Sequence, residues 1–281
     1  MTLFRPERLD EALALMAAEG PAILAGGTDF YPALRDRPPP DKVLDLGRVA
    51  ELSGITRAGG EIRIGAGVTW SALIAHDLPP AFDALKAAGR TVGSVQIQNA
   101  ATVAGNLCNA SPAADGVPPL LVLEAEVEIA GPSGNRRLAL SDFITGVRRT
   151  ALAPGEIVTA IRVPEPAAAA RSRFSKLGAR SHLVISIAMT AVLLQIEGDR
   201  IARARIAVGA CSPVARRLPA LEAALEGRTA AEAACVPIVD SHLAPLAPIS
   251  DIRGSAEYRR TAVREMLARD IAALCGERAD A

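Results

Sequence analysis

The sequence predicts an α+β fold, because short strands and helices follow one another without the regular βαβ rhythm of a doubly wound sheet. Half of the 281 residues are hydrophobic, which suffices for a sizeable core, and the chain exceeds the length of one ordinary domain. In EIRIGAGV (61–68), Ile62 and Ile64 alternate with polar residues, a pattern typical of a strand with one buried face. We therefore expect two or three α+β units that share boundaries.

The first of these units is expected to be a small βα unit that ends near Ile55. Leu9, Leu13 and Met16 fall on one helical face, and Gly20 supplies a stop signal. The expected elements are a helix over 6–20, a strand over 22–25, a glycine turn followed by a short helix, a proline-rich connection over 35–41, and a strand over 42–46.

Further along the chain, hairpins and helices alternate. Thr69 is a good N-cap for the helix that WSALIAH predicts. The expected elements are a hairpin over 127–140, a closing strand over 156–164, a linker over 165–171, two antiparallel strands over 185–196 and 200–210 joined by an acidic turn, and a helix from Ser255 onward.

Composition excludes several function classes. Lysine plus arginine equals aspartate plus glutamate, so the net charge is zero, which argues against a nucleic-acid surface or an anchor on acidic membranes. The four cysteines are widely spaced with no CxxC pair, which favours reduced, cytoplasmic thiols over a disulfide framework or a zinc knuckle. We expect neither a signal peptide nor a membrane span.

Several catalytic and nucleotide-binding motifs are incomplete or missing. GAG at 65–67 follows a strand, but Trp70 stands at the third glycine position of a dinucleotide fingerprint. No Walker A loop, HExxH or GxSxG is present, and the three histidines, at 76, 182 and 242, are scattered. The sequence therefore predicts neither a catalytic triad nor a metal site.

The stretch AILAGGTDFYPAL (22–34) leaves a strand through two adjacent glycines and enters a helix at once. Glycine loses the most backbone freedom on folding, so the pair indicates a positive φ or a close backbone approach. One interpretation is a tight strand-to-helix turn. The other is a phosphate site, because free N–H groups at the start of a helix attract anions.

A second stretch, QIQNAATVAGNLCNASPAADGVPPLLVL (96–123), is rich in small polar residues between apolar runs. Such side chains with a nearby glycine can present several hydrogen-bonding groups to one polar ligand. The alternative is a long capped turn into the helix PPLLVLEA. The polar positions are Thr102, Gly105, Asn106, Asn109, Ser111 and Asp115.

Together, AGGTD at 25–29 and TVAGN with SPAAD at 102–115 resemble the FAD-binding medium subunit of the xanthine dehydrogenase/carbon monoxide dehydrogenase family of molybdenum hydroxylases. The resemblance covers nearly the whole chain and includes FSKLGAR at 174–180 and SAEYRR at 255–260. It implies a PCMH-type FAD-binding domain of two subdomains, 1–57 and 58–168. A smaller α+β C-terminal domain of the CO dehydrogenase flavoprotein type, 172–281, would follow.

The resemblance also implies roles for individual residues. The loop around the FAD pyrophosphate would be Ala25, Gly26, Gly27, Thr28 and Asp29. The phosphates and ribityl chain would be faced by Thr102, Gly105 and Asn106, and Asp115 would accept hydrogen bonds from ribityl hydroxyls. Ser111 would be a further cofactor-binding residue. Val92 and Gly93 would pack on the adenine, and Ile157 or Val158 beside the isoalloxazine ring. Lys176 would lie near that ring and stabilise negative charge on the reduced flavin.

A side chain at Gly26 is then expected to block the cofactor without unfolding the chain. Two departures from the family pattern stand out. Ala104 replaces a usual glycine, which is harmless if its φ is negative, and residues 177–184 lack an acidic residue that many relatives carry.

The function implied is electron transfer rather than substrate chemistry. Molybdopterin in a large subunit would oxidise the substrate, and [2Fe–2S] clusters in a small subunit would pass electrons to FAD in this chain, within a dimer of heterotrimers. Two alternatives stay open: a stand-alone FAD-dependent oxidoreductase and a flavin-free structural subunit. The substrate and the terminal acceptor are not predicted.

Overall fold

The computed structural model describes residues 1–276, and the expectation for 277–281 lies outside the described residues. Its strands are β1 (Thr2–Phe4), β2 (Ala22–Leu24), β3 (Lys42–Asp45), β4 (Ile55–Ala58), β5 (Glu61–Gly65), β6 (Glu126–Gly131), β7 (Gly134–Ala139), β8 (Ile144–Gly146), β9 (Arg149–Thr150), β10 (Ile157–Pro164), β11 (Ala170–Leu177), β12 (Ala188–Glu197), β13 (Arg200–Gly209) and β14 (Arg216–Arg217).

Helices alternate with these strands, and three short 3₁₀ turns near 51, 81 and 241 complete the connections. The helices are α1 (Leu9–Glu19), α2 (Phe30–Leu34), α3 (Trp70–Ala75), α4 (Asp83–Thr91), α5 (Val95–Ala100), α6 (Val103–Asn109), α7 (Val117–Val122), α8 (Leu140–Phe143), α9 (Pro219–Leu225), α10 (Ala230–Ala234) and α11 (Ala256–Gly276). The mixture of helices and mainly antiparallel strands confirms the predicted α+β class.

The chain forms two compact units, each assembled from three stretches. The first unit contains Met1–His76, Ser94–Ala110 and Ala125–Glu165. The second unit contains Asp77–Gly93, Ser111–Glu124 and the chain from Pro166 onward. The division into domains 1–57, 58–168 and 172–281 stays a prediction.

Two main sheets and one short two-stranded pair form the first unit. A parallel sheet has the strand order β1-β3-β2, and an antiparallel sheet has the order β4-β5-β10-β6-β7. β10 is the central strand of the larger sheet, and five of its eight residues, 157–161, are buried in succession. β2 pairs with β3 and ends at Leu24. The parallel sheet therefore fixes the point from which the glycine turn over 25–29 begins.

Local signals in the sequence explain the ends of several elements. Gly20 ends α1 with φ 55° and ψ 44°, a left-handed conformation that glycine adopts without steric cost. The Thr69 hydroxyl accepts a hydrogen bond from the backbone N–H of Ala72 at 3.2 Å and starts α3, as predicted. The Glu197-Gly198-Asp199 turn joins β12 to β13, also as predicted, with Gly198 at φ 61°.

The second unit packs an antiparallel sheet, β11-β12-β13-β14, against helices that include α11. Its core contains Val192, Ile206, Val208, Leu267 and Ile271, all at most 2% exposed. The predicted linker over 165–171 is too long by two residues, because β11 begins at Ala170. Ala170 and Ser172 alternate as buried positions, and the register that pairs Ala170 with Gln195 extends the strand.

A buried aspartate connects α11 to this sheet. Asp270 is 1% exposed, and it accepts hydrogen bonds from the hydroxyls of Ser175 at 2.6 Å and Thr190 at 2.7 Å. The guanidinium of Arg173 donates to the same carboxylate at 3.1 Å. These contacts fix one face of β11, directly beside Lys176 in the sequence. Among residues 1–276, no helix is long and apolar enough to cross a membrane.

Candidate functional site

Both glycines of the AGGTD segment are required by the fold of the first unit. Gly27 has φ 73°, a left-handed conformation that a side chain would strain. A Cβ on Gly26 would overlap the carbonyl oxygen of Ala100 and lie 2.6 Å from its carbonyl carbon. The interpretation as a tight turn is therefore confirmed, and the expectation that a side chain at Gly26 would spare the fold is wrong, because it would meet the protein's own backbone.

The same turn presents hydrogen-bond donors. Its carbonyl oxygens at Gly27 and Asp29 accept from the N–H groups of Tyr31 and Ala33, at 3.2 and 3.0 Å. By contrast, within residues 1–276 the backbone N–H groups of 26–29 donate no hydrogen bond. Successive free N–H groups form an anion-binding concavity, so the second interpretation, a phosphate site, is compatible with the first.

The close approach of Gly26 brings the AGGTD turn to the segment that precedes Thr102. Thr102 is 7% exposed, and its hydroxyl accepts from the backbone N–H of Gly105 at 2.9 Å, which caps α6. A Cβ on Gly105 would lie 2.8 Å from that hydroxyl, so glycine at this position keeps the cap intact. The backbone of the segment is held by bonds from Trp70 N–H to Ala101 and from Val103 N–H to the carbonyl of Val68, both 3.0 Å.

The remaining predicted residues of the first unit occupy α6, β10 and the start of α2. Ala104 lies inside α6 and does not have a positive φ. A negative φ is the condition under which alanine can replace the usual glycine without harm. Asn106 is half-buried in the same helix. Ile157 and Val158 are 1% and 6% exposed on β10, beside a bulge between Val158 and Ala160. Asp29 precedes α2 and makes no side-chain cap.

Asp29 also lines a cavity of about 900 Å³ in the first unit. This volume lies in the range of cofactor pockets. Its wall carries charges of both signs, with the positive Arg35, Arg37 and Arg148 and the negative Asp29 and Asp36. The Arg37 guanidinium donates to the carbonyl of Ala33 at 2.9 Å, and the Arg148 guanidinium donates to the side chain of Asn109.

In the second unit, the structure brings two predicted residues into direct contact. The Lys176 ammonium donates to Oδ2 of Asp115 at 2.6 Å, and the two side chains are 10% and 8% exposed. Ser186, which no motif marked, donates to Oδ1 of the same carboxylate at 2.6 Å. A carboxylate has about four acceptor positions, so two strong donors leave capacity for hydroxyl groups of a ligand.

The other predicted residues of the second unit are Val92, Gly93 and Ser111, which lie at the ends of the stretches Asp77–Gly93 and Ser111–Glu124. Val92 is the C-cap that follows α4, and Gly93 comes next with φ 55°. Thr91, the residue before Val92, lies 3.3 Å from Oδ2 of Asp115. Ser111 is half-buried, and its hydroxyl accepts from the N–H of Ala113 at 3.2 Å, so it stabilises its own turn. Thr91 and Ser186 carry no sequence motif, and only the tertiary fold reveals them.

Each unit, taken by itself, offers donors or acceptors that suit one part of FAD. The free N–H groups of 26–29 match the oxygens of a pyrophosphate, and the acceptor positions of Asp115 match ribityl hydroxyls. Among residues 1–276, no group of three or more His, Cys, Asp or Glu side chains is arranged to hold a metal ion.

Family comparisons agree with this chemistry. Residues 1–166 match the family described as the FAD binding domain in molybdopterin dehydrogenase. Residues 173–274 match the C-terminal domain of the CO dehydrogenase flavoprotein.

Individual relatives match along almost their full lengths. The nicotine 6-hydroxylase medium subunit of Paenarthrobacter nicotinovorans is 32% identical and covers 95% of this chain and 94% of its own. The carbon monoxide dehydrogenase medium chain of Afipia carboxidovorans is 33% identical with the same coverage. A crystal structure of cyanide-inactivated Cu,Mo-CO dehydrogenase superimposes with a TM-score of 0.89 at 31% identity, over 96% of each chain. The chain therefore belongs to the xanthine dehydrogenase/carbon monoxide dehydrogenase family of molybdenum hydroxylases, as an FAD-binding oxidoreductase subunit.

Proposed function

We propose that this chain is the electron-transfer subunit of a molybdenum hydroxylase, in which FAD receives electrons from [2Fe–2S] clusters of a partner subunit and passes them to a terminal acceptor. The observation that carries the proposal is the AGGTD turn, whose N–H groups at 26–29 donate no hydrogen bond within residues 1–276, while the carbonyls of Gly27 and Asp29 are bonded to the start of α2. Four successive N–H groups without a protein partner suit a doubly charged pyrophosphate.

The residues of each unit are assigned separately. In the first unit, the turn over 25–29 binds the pyrophosphate, Thr102, Gly105 and Asn106 support that end of the cofactor, and Ile157 or Val158 offers an apolar contact to the ring. In the second unit, Asp115 accepts from ribityl hydroxyls, Ser111 supports its segment, and Lys176 presents the ammonium of its ion pair with Asp115 to the flavin. Val92 and Gly93 contact the adenine.

The proposed partners are a large molybdopterin-binding subunit and a small [2Fe–2S] subunit, in a dimer of heterotrimers. Relatives named as medium subunits or medium chains support the existence of further chains. We also propose a cytoplasmic location, which the four free cysteines support. Purification of the complex and its mass would test both the partners and the stoichiometry.

The cofactor assignment is tested first by the spectrum of the purified chain and chromatography of the released flavin. About one FAD per chain is expected. A colourless protein that takes up no added FAD would favour a flavin-free structural subunit. Turnover of a substrate by the chain alone would favour a stand-alone oxidoreductase over an electron-transfer subunit.

A matched pair of variants tests the phosphate site. Thr28→Glu places a negative charge beside the free N–H groups, and Thr28→Gln adds a neutral side chain of nearly the same shape. The dissociation constant for FAD should rise at least tenfold more in the glutamate variant, and the difference should shrink at high salt. Equal constants in the two variants would show that the pyrophosphate lies elsewhere.

A further inference from the structure

We propose that Ser186 is a positioning residue for the Asp115–Lys176 ion pair. Its hydroxyl fixes the Asp115 carboxylate, and through it the Lys176 ammonium, in the arrangement that acts on bound flavin. The part that concerns flavin rests on the proposed function. The part that concerns Lys176 depends only on contacts inside the second unit.

The geometry assigns one carboxylate oxygen to each donor. Ser186 Oγ lies 2.6 Å from Oδ1 of Asp115, and Lys176 Nζ lies 2.6 Å from Oδ2. Ser186 is only 2% exposed, so water does not compete freely for this bond. Hydrogen bonds to a charged group are about twice as strong as neutral ones, and donors on both oxygens hold the carboxylate plane in one orientation.

Thr91 does not replace Ser186 as a strong donor. Its Oγ1 lies 2.8 Å from the carbonyl oxygen of Ala88 and 3.3 Å from Oδ2 of Asp115. A hydroxyl has a single proton to donate, and the closer carbonyl takes it. Without the Ser186 hydroxyl, Oδ1 loses its short bond and the carboxylate becomes free to turn.

The backbone around the pair is already fixed. The N–H of Ile187 donates to the carbonyl of Leu177 at 2.7 Å, which ties together the neighbours of Ser186 and Lys176 in the sequence. Removal of one hydroxyl should therefore leave the strands in place. Its effect falls on the orientation of the Asp115 and Lys176 side chains.

The first experiment measures access to Lys176 in the full chain. The chain contains only three lysines, at 42, 86 and 176, so Lys42 and Lys86 serve as internal references. An acylating reagent followed by mass spectrometry gives the labelling rate at each position. In Ser186→Ala, Lys176 should be labelled at least threefold faster than in the wild type, relative to Lys86. Ser186→Thr, which keeps a hydroxyl, should restore the slow rate.

Ser172→Ala is the matched control. Ser172 is also buried, but its hydroxyl donates to the carbonyl of Ala81 at 2.7 Å and accepts from the N–H of Ala84 at 2.9 Å. Loss of this hydroxyl perturbs the fold of the same unit without removing a donor to Asp115. An equal acceleration at Lys176 in Ser172→Ala would show general loosening and overturn the proposal, as would an unchanged rate in Ser186→Ala.

The second experiment measures the midpoint potential of the flavin in the purified flavoprotein. Ser186→Ala should change the ratio of affinities for reduced and oxidised flavin at least tenfold, which is about 30 mV for a two-electron couple. Ser186→Thr should recover the wild-type potential. An unchanged potential in a Ser186→Ala protein that retains FAD would overturn the effect on flavin.

The two experiments separate this inference from the proposed function. A wild-type chain that binds no FAD would contradict the proposed function, while the labelling rates would still decide whether Ser186 positions Lys176. If Ser186→Ala lost its FAD, the labelling rate of Lys176 would be compared between the flavin-free wild type and the flavin-free variant. That comparison would still decide whether Ser186 positions Lys176.

Discussion

The ammonium nitrogen of Lys176 lies 2.6 Å from Oδ2 of Asp115, in a pair whose side chains are only 10% and 8% exposed. Removing two charges from water costs several kcal/mol per ion unless each is paired and hydrogen-bonded. The pair therefore depends on both members. Because Asp115 balances the charge of Lys176, the field at any ligand beside Lys176 is that of the pair and not of an isolated cation.

The pair predicts strong coupling in a double-mutant cycle. Asp115→Asn or Lys176→Met alone leaves one buried charge uncompensated and should lower the free energy of unfolding by about 3–5 kcal/mol. The double variant removes both charges and should cost less than the sum, with a coupling energy of about 0.5–3 kcal/mol. Urea unfolding of the four proteins measures the cycle.

The exposed pair Arg269–Glu265, with side chains 77% and 61% exposed, is the control for this cycle. Glu265→Gln should leave the free energy of unfolding nearly unchanged, because surface ion pairs contribute little. Additive costs at Asp115 and Lys176 would contradict the predicted coupling.

Gly26 gives a second prediction. In Gly26→Ala the new methyl group meets the carbonyl of Ala100, so the backbone must shift, at a cost of about 1–3 kcal/mol in the free energy of unfolding. Gly146→Ala is the matched control, because the nearest atom to its Cβ is 3.8 Å away and its φ is not positive. We expect a change within about 0.5 kcal/mol there. Equal stability of the two variants in thermal unfolding would refute the close approach at Gly26.

The sequence predicts the elements of this fold well where the signal is local. Gly20 and Thr69 mark helix ends because a left-handed C-cap and an N-cap hydroxyl act within one turn of their own position. Alternation along 61–65 and the turn at Gly198 mark strands for the same reason. Each of these signals depends on neighbours a few residues away.

The site is less predictable because its contacts join distant segments. Asp115 and Lys176 are 61 positions apart, and Ser186 is 71 positions from Asp115. Nothing in the apolar context of VISIAM marks Ser186 as polar and functional. The carbonyl of Ala100 that fills the space beside Gly26 is equally invisible, so the sequence attributes to a ligand what the fold also requires.

Thr102 gives a third prediction. Thr102→Val keeps the shape of the side chain but removes the cap on α6, leaving the N–H of Gly105 without its 2.9 Å acceptor. The free energy of unfolding should fall by about 1 kcal/mol, and the affinity for FAD should fall with it. Thr102→Ser keeps the hydroxyl and should retain most of both. Full stability and full FAD content in Thr102→Val would show that the cap contributes nothing.

Asp270 predicts a dependence of stability on pH. Burial raises the pKa of Asp270 above its ordinary 3.8, and hydrogen bonds from Ser175 and Thr190 offset this only in part. A raised pKa favours the neutral carboxyl in the folded state, so the contribution of Asp270 is present below pH 3.8 and is lost as the pH rises through the raised pKa. Asp270→Asn should therefore become less destabilising, relative to the wild type, as the pH rises above about 4. A stability difference independent of pH would contradict the direction of this shift.

Asp251 in the same unit predicts the opposite slope and is the internal comparison. A hydrogen bond from the backbone N–H of Arg253, with others from the side chains of Arg259 and Arg253, lowers the pKa of Asp251 from 3.8 to about 2. The lowered pKa favours the carboxylate in the folded state, so its contribution is present above pH 3.8 and is lost as the pH falls toward about 2. Asp251→Asn should destabilise the chain near neutral pH and approach the wild type in acid. Urea unfolding of both variants between about pH 3 and 7 should give slopes of opposite sign, and slopes of the same sign would refute one of the two assignments.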